Sequence, residues 1–480
     1  MAPAVRVRRP AFPSWTGAPW ARWAAVALLT LAALGLRLFR LGTWSFWIDE
    51  VYTVQRALAF TWSHPTLTNV SGVLTSLLLQ TLPPTEANAR LIPLVIGVAS
   101  LPLLYVGLRA ILGDGPALLM VLFLAISPWH LGWSQNARFY TALLLFNSLS
   151  LGCVYLGLER DRPALLLAAW GLFGLAVLER MIAFFILPTV AAYVLALWLL
   201  PELRPVGWRR RNLLILAVPL GLGALAEAVR VLLLGGAPIY AKFVEIFVGY
   251  QMAPLRVLLA MVAEMGLPLF LLGLGGAALL VWRRERRGLF LALATVIPLA
   301  ALVAISPWVM VVSRYVFPVL PFWALLAGYA IWELGRAVPG QTALLVWVVL
   351  ALVVSESLSR DLLYFTYQNG DRQDWKGAFA VVTARAAPDD AVYTTRTEIG
   401  AWYLARPIDW TEGLTPAAVT AAGRRAWFVV DDRTGHLSPE MAAWLGADTR
   451  LVSVNDVTLP GKPMFLRVYL YDPRLPPLTP

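Results

Sequence analysis

Two adjacent carboxylates, Asp49 and Glu50, stand in the string Trp47-Ile48-Asp49-Glu50-Val51-Tyr52, just beyond an apolar run that ends at Arg37-Leu38-Phe39-Arg40. Acidic side chains beside a bilayer are costly unless they are solvated, paired or used. Only 14 acidic residues fall in the first 360 positions, so a pair at this place is conspicuous. A carboxylate held in a partly dry cleft gains proton affinity and can serve as a general base. The same pair facing water would have no such use. His64, followed by Pro65, offers an imidazole for a phosphate oxygen or for a proton in transit. A lone histidine is also a common structural side chain, and both readings hold for His130 in Pro128-Trp129-His130; His436, in a polar turn, reads as solvated.

Three arginines offer the complementary charge. Arg138 lies in Ser134-Gln135-Asn136-Ala137-Arg138-Phe139-Tyr140, Arg90 follows Glu86-Ala87-Asn88-Ala89, and Arg314 lies in Ser313-Arg314-Tyr315. A guanidinium at the end of a membrane span can hold a lipid phosphate through paired, charge-assisted bonds, or simply snorkel to a headgroup. Cations converging on a cavity with a carboxylate pair would suit an anionic lipid donor and a nucleophile that must lose a proton. The single cysteine, Cys153, sits in an apolar run and supports neither a disulfide framework nor a Cys-based metal site.

The elements that must position these residues are membrane helices. Of 480 residues, 59% are hydrophobic and 14% charged, which excludes an ordinary soluble enzyme and a disordered chain. Apolar runs fall near 24–38, 89–111, 115–131, 139–158, 163–179, 182–200, 212–235, 255–282, 288–312, 315–335 and 341–359. They predict about eleven transmembrane helices. No small-residue cleavage site follows the first run, which reads as an uncleaved span with its N-terminus inside. Residues 1–360 carry 27 basic and 14 acidic side chains, and residues 361–480 carry 12 and 14. The excess of positive charge therefore belongs to the membrane part and reads as topology, not as nucleic-acid binding. Alternating the spans puts the clusters at Arg109, Arg160, Arg209, Arg283 and Arg336 inside, each in a basic loop. Residues 41–88, 132–138, 236–254, the turn at Ser313-Arg314 and the C-terminal part then lie outside.

Residues 68–82 could be one more span, but counting them would place the Arg209 and Arg283 clusters outside. They read instead as an interfacial helix. Past Arg360 the composition becomes that of a small soluble domain. Its pattern predicts helices at 374–387, 397–404 and 438–446, with strands at 391–395, 426–430, 449–454 and 464–470. The division expected is a membrane module over 1–360 and an extracytoplasmic α/β domain over 361–480.

Taken together, the strings resemble the C-type polytopic glycosyltransferases, the group that includes protein O-mannosyltransferases and bacterial aminoarabinose transferases of lipid A. The residues that carry the resemblance are Arg37-Leu38-Phe39-Arg40-Leu41-Gly42, Trp47 to Thr53, His64-Pro65-Thr66-Leu67, Glu86 to Pro93, Ser134 to Tyr140 and, more weakly, Arg314 to Pro321. The resemblance implies an N-in/C-out polytopic α-helical fold and transfer of a sugar from a polyprenyl-phosphate donor to a lipid, glycan or protein acceptor on the outer face. Asp49 would match the base, with Glu50 assisting or positioning it. His64, Arg90, Arg138, Tyr140, Arg314 and Tyr52 are the expected substrate-binding residues. Thr66 stands where a second proline is common, and Asn136 where related sequences often have an acidic residue. The second departure removes a potential cation ligand, so no metal-binding residue is assigned and a divalent cation stays an open alternative.

The competing reading is a lipid-linked sugar flippase or transporter, or a non-catalytic scaffold of the same fold. Transporters tend to show related halves and polar breaks near the membrane midplane. No repeat is evident here, and the ionisable groups gather at the outer edge apart from Glu227 and Glu264. The composition leans toward a bacterial plasma membrane.

Overall fold

A computed structural model describes residues 19–67, 69–234, 252–337, 343–406, 408–411, 413–431, 437–458 and 464–474. Residue 436, the side chain of residue 227 and most of the expected outer segment 236–254 lie outside the described residues. The helices are α1 (Pro19–Leu38), α2 (Ile48–Leu58), α3 (Val70–Leu79), α4 (Glu86–Leu112), α5 (Asp114–Ala125), α6 (Pro128–Ser134), α7 (Tyr140–Glu159) and α8 (Pro163–Glu179). They continue with α9 (Leu187–Leu199), α10 (Arg210–Leu234), α11 (Pro254–Met265), α12 (Leu267–Trp282), α13 (Arg286–Ile305), α14 (Leu320–Ala337) and α15 (Ala343–Thr366).

Among the described residues, six helices are long and apolar enough to cross a membrane, or up to eight if each of two bent pairs is counted as one span. The bundle is layered by burial: 78% of the apolar window of α7 and of the α14 span is inside the protein, against 17% for α1. Leu143, Leu144, Leu151, Leu320, Phe322 and Leu325 fill its centre. Small residues let α12 approach α14, because a Cβ on Gly276 would collide with the Leu326 carbonyl.

Two expected spans are not straight. The run 115–131 divides into α5 and α6, bent by 60°, where Ser127 caps α6 by accepting from the His130 N–H and Pro128 starts it. A proline favours the first helical position and disfavours helix at the residue before it. The run 255–282 divides into α11 and α12 at 99°. Gly266, at φ +88, makes that corner, and a Cβ there would meet the Glu356 carboxylate at 2.8 Å. An unbroken apolar run does not report such a corner; a single glycine with a positive φ does.

Residues 70–79 form the separate short helix α3, which packs on α2 and α4. The C-terminal part folds as α16 (Trp375–Arg385), β1 (Ala391–Thr394), α17 (Thr397–Leu404), β2 (Asp409–Trp410), α18 (Pro416–Ala421), β3 (Ala426–Val430), α19 (Pro439–Asp448), β4 (Arg450–Val454) and β5 (Arg467–Tyr471). The sheet order is β2-β1-β3-β5-β4, with β1 parallel to β2 and β3, and β5 antiparallel to β3 and β4. All five residues of β3 are buried, as expected for a continuous apolar strand covered on both faces. One of those faces does not end at the domain. Trp375, Phe379, Val392 and Trp427 share a core with Phe46, Val51, Val54 and Phe60.

Candidate active site

Asp49 and Glu50 occupy the first turn of α2, whose N-cap is Trp47. Carboxylates there complement the helix dipole, yet the two side chains have opposite fates. Glu50 is fully buried. Its Oε1 accepts from Arg90 Nε at 2.8 Å and from the Ala137 N–H at 2.8 Å. Its Oε2 accepts from Arg90 Nη2 at 3.0 Å, Arg372 Nη1 at 2.8 Å and the Trp47 N–H at 3.4 Å. Burial alone would raise its proton affinity, but the Arg90 and Arg372 guanidiniums hold it below the usual carboxylate range. With both oxygens occupied, Glu50 fixes geometry and has nothing free to offer a substrate.

Asp49 is open. Its side chain is 30% exposed, and Oδ2 lies 3.5 Å from Arg138 Nη2. Arg138 Nη1 donates to the Asp49 carbonyl at 3.1 Å and to Thr53 Oγ1 at 3.0 Å. Arg138 follows the sharp segment 135–137 and rests over the Phe139 ring, which Arg180 also faces. Burial pushes Arg138 below the usual guanidinium range; Asp49 opposes that shift, and the charges of Arg180 and Arg314 add to it. Arg314 lies over the Trp47 ring at 5.6 Å. The Nε atoms of Arg138 and Arg314 are buried without a hydrogen-bond partner. Donors so placed are uncommon in a settled core and suit an anion.

A cleft adjoins Arg138, lined among others by Thr53, Asn69, Ser71, Arg138, Glu179 and Arg180. Ser71 donates its N–H to Glu179 Oε1 at 2.8 Å and its hydroxyl to Oε2 at 2.6 Å. The lining of the cleft thus joins the cations of Arg138 and Arg180 to hydroxyl, amide and carboxylate groups.

The remaining expected residues distribute unevenly. Tyr140, at the start of α7, is buried against Trp133 at 4.0 Å between ring centroids, with its phenol among the charges of Arg314, Arg138 and Asp49. Tyr52 points away to the C-terminal domain, donating to Glu398 Oε1 at 2.8 Å; burial and that bond push its hydroxyl up to about 12. His64 is exposed in a turn and bonds within it, its Nδ1 lying 3.3 Å from Ser63 Oγ. Arg90 requires a correction. Beyond Glu50 it donates to the carbonyls of Leu41, Trp44 and Ser45, so all five N–H groups are engaged and none is left for a lipid phosphate. Arg37 is likewise buried, bonding Ser134, His130 and the carbonyls of Ala33, Leu124 and Ala125. His130 is therefore a buried partner of Arg37 and Ser100.

Sequence reasoning missed Arg180, although it follows the run 163–179 on the same inferred side as Arg138 and could have been found by the same rule. It also missed that Arg372 reaches Glu50 across 322 residues, for which no local signal exists. Among the described residues no group of three His, Cys, Asp or Glu converges on one point. Asn136 is engaged by Trp47 Nε1 at 3.2 Å.

Comparison with known proteins bears on the fold. The family model of dolichyl-phosphate-mannose-protein mannosyltransferase matches residues 63–218. ArnT from Cupriavidus metallidurans bound to undecaprenyl phosphate superposes with a TM-score of 0.57 at 15% identity, over 93% of this chain and 97% of that one. The two chains share a fold. Apo ArnT gives 0.59 at 16% identity, over 94% and 98%. The archaeal oligosaccharyltransferase AglB from Archaeoglobus fulgidus, in complex with an inhibitory peptide and a dolichol-phosphate, gives 0.59 at 13% identity, over 87% and 70%. No curated protein matches the chain by sequence. Within this fold, Asp49 stands on the segment where the bundle meets the C-terminal domain. The far end of α7 lies about 30 Å away, given its 20 residues, and is tied by Glu159 to Arg286 at 3.1 Å.

Proposed function

We propose that this protein is an integral membrane glycosyltransferase that moves a sugar from a polyprenyl-phosphate donor to an acceptor hydroxyl on the outer face of the cell membrane. The observation that carries the reading is the half-open Asp49 carboxylate paired with Arg138 beside a cleft that Arg180 also lines. Support comes from neighbours of the same fold that hold undecaprenyl phosphate or dolichol-phosphate. In this reading residues 1–360 are the transferase module, and residues 361–480 are an extracytoplasmic domain that helps build the site. The acceptor is a lipid, glycan or protein hydroxyl.

The chemistry follows from what each group has free. Asp49 takes the proton of the acceptor hydroxyl as its oxygen attacks the anomeric carbon. The bond from that carbon to the phosphate oxygen breaks with its electron pair, leaving polyprenyl phosphate with one more negative charge. Arg138, Arg180 and Arg314 stabilise that growing charge, in a site where burial strengthens the interaction. Tyr140 shapes the wall behind them. A retaining mechanism would need a second carboxylate as nucleophile, about 5–5.5 Å from the first. Glu50 is locked by two arginines, so the step is a single displacement with inversion.

The test is transfer of radiolabelled sugar by the protein in nanodiscs, with a panel of polyprenyl-phosphate sugars and a crude envelope extract as acceptor, run beside Asp49→Asn. Transfer by the native protein alone, with inverted anomeric configuration, is the expected result. Equal transfer by Asp49→Asn would remove the base assignment. No transfer from any donor, with lipid-linked sugar still crossing the bilayer, would favour a flippase.

A further inference from the structure

We propose that Arg372 is a positioning residue for the reaction centre, acting from the C-terminal domain through Glu50 on both Asp49 and Arg138. The proposal rests on Asp49 being the base, and its grounds are geometric. Glu50 binds the Ala137 N–H at 2.8 Å, and Ala137 directly precedes Arg138. Glu50 also directly follows Asp49 in the first turn of α2. One carboxylate therefore pins the backbone on either side of the Asp49–Arg138 pair, each through a neighbouring residue.

Arg90 holds Glu50 from the bundle, and Arg372 holds it from the C-terminal part of the chain, Nη1 to Oε2 at 2.8 Å with only 7% of its side chain exposed. The chain is shaped for that reach. Gly370, at φ +64, turns the backbone where a Cβ would meet the Trp44 indole at 2.7 Å, and its carbonyl accepts from Arg372 Nε at 3.0 Å. Other polar contacts dock the domain on the same segment without touching Glu50. Tyr403 accepts from the Phe46 N–H at 2.8 Å and donates to Glu86 at 3.0 Å, and the Lys376 N–H donates to Ser45 Oγ at 2.8 Å. Arg372 Nη1 also lies 3.4 Å from the Ser45 carbonyl, so a contact that docks the domain without Glu50 is the control for its docking share. A reaction centre displaced by even about 1 Å can lose on the order of 100-fold in rate.

The experiment uses the full chain in nanodiscs with the donor and acceptor identified by the panel above, and compares Arg372→Ala, Arg372→Lys and Tyr403→Phe. Arg372→Ala is expected to lower kcat by roughly 10–100-fold while donor KM stays within about threefold. Arg372→Lys should recover most of the loss, because an ammonium can still meet Oε2. Tyr403→Phe should lower Tm by at least as much as Arg372→Ala yet keep kcat within about twofold. Equal kcat losses in Arg372→Ala and Tyr403→Phe, or native kcat in Arg372→Ala, would overturn the proposal. Amide hydrogen exchange reads the same coupling without turnover. Faster exchange at 48–53 and 136–139 in Arg372→Ala supports it and unchanged exchange overturns it, whatever Asp49→Asn does to transfer.

Discussion

Two clusters of charge share the segment from Ser45 to Arg138, and they differ in saturation. Around Glu50, two guanidiniums, three backbone carbonyls and two backbone N–H groups leave no donor of Arg90 and no oxygen of Glu50 unused. Around Asp49, two of three arginines keep a buried Nε without a partner, and the carboxylate meets only one of them, at 3.5 Å. Adjacent residues of like chemistry thus end up as a saturated joint and as a half-open carboxylate. A network that satisfies itself is architecture, whereas one that waits for its last partner has room for a ligand.

The sharpest way to break the contrast is at Asp49. Asp49→Asn should lower kcat by about 10²–10⁴, the usual contribution of a positioned base, with Tm nearly unchanged. Single-turnover kinetics together with a thermal melt check both halves. Arg90→Ala should do the reverse in kind, destabilising by about 3–5 kcal/mol because it leaves a buried carboxylate short of its main partner. The readout is Tm and the fraction of monodisperse protein; an unperturbed melt would show that the Glu50 cluster is not a structural joint. Arg138→Gln is expected to cost about 10²–10³ in kcat, as removal of one transition-state donor does, and to weaken binding of undecaprenyl phosphate alone.

The smallest effect is in pH. Glu50 is held below its ordinary value in the folded protein, so its contribution is present above the unfolded carboxylate pKa and is lost as pH falls through the folded one. The Tm difference between native protein and Glu50→Gln should be flat above about pH 5 and shrink below about pH 4. A difference that instead shrinks between pH 6 and 8 would assign the linkage to another group.

What the sequence reveals follows the range of the interactions. Helix 397–404 and strand 426–430 are legible because their periodicity and apolar runs are local, and the structure forms them at those positions. The two-residue β2 and the six-residue α18 are too short to impose a pattern and are missed. The broken spans at Pro128 and Gly266 look continuous because hydropathy averages over the corner. At the site, residue type and sidedness single out Asp49, Arg138 and Arg314, but they cannot rank Arg90 against Arg138. That ranking depends on whether carbonyls 45 to 49 positions away take up the donors, which is a tertiary fact.

The core shared between α2 and the C-terminal sheet also sets an order of events. Ser45 and Lys376 meet across 331 positions of chain, nearly the whole bundle, so this core closes only after the last helix has been made. A ribosome stalled at the end of α15 would leave Phe46, Val51 and Val54 without the aromatic lid of Trp375, Phe379 and Trp427. Nascent chains would then carry this core incomplete through membrane insertion, and a nonsense codon before Trp375 would yield a bundle that lacks its aromatic lid.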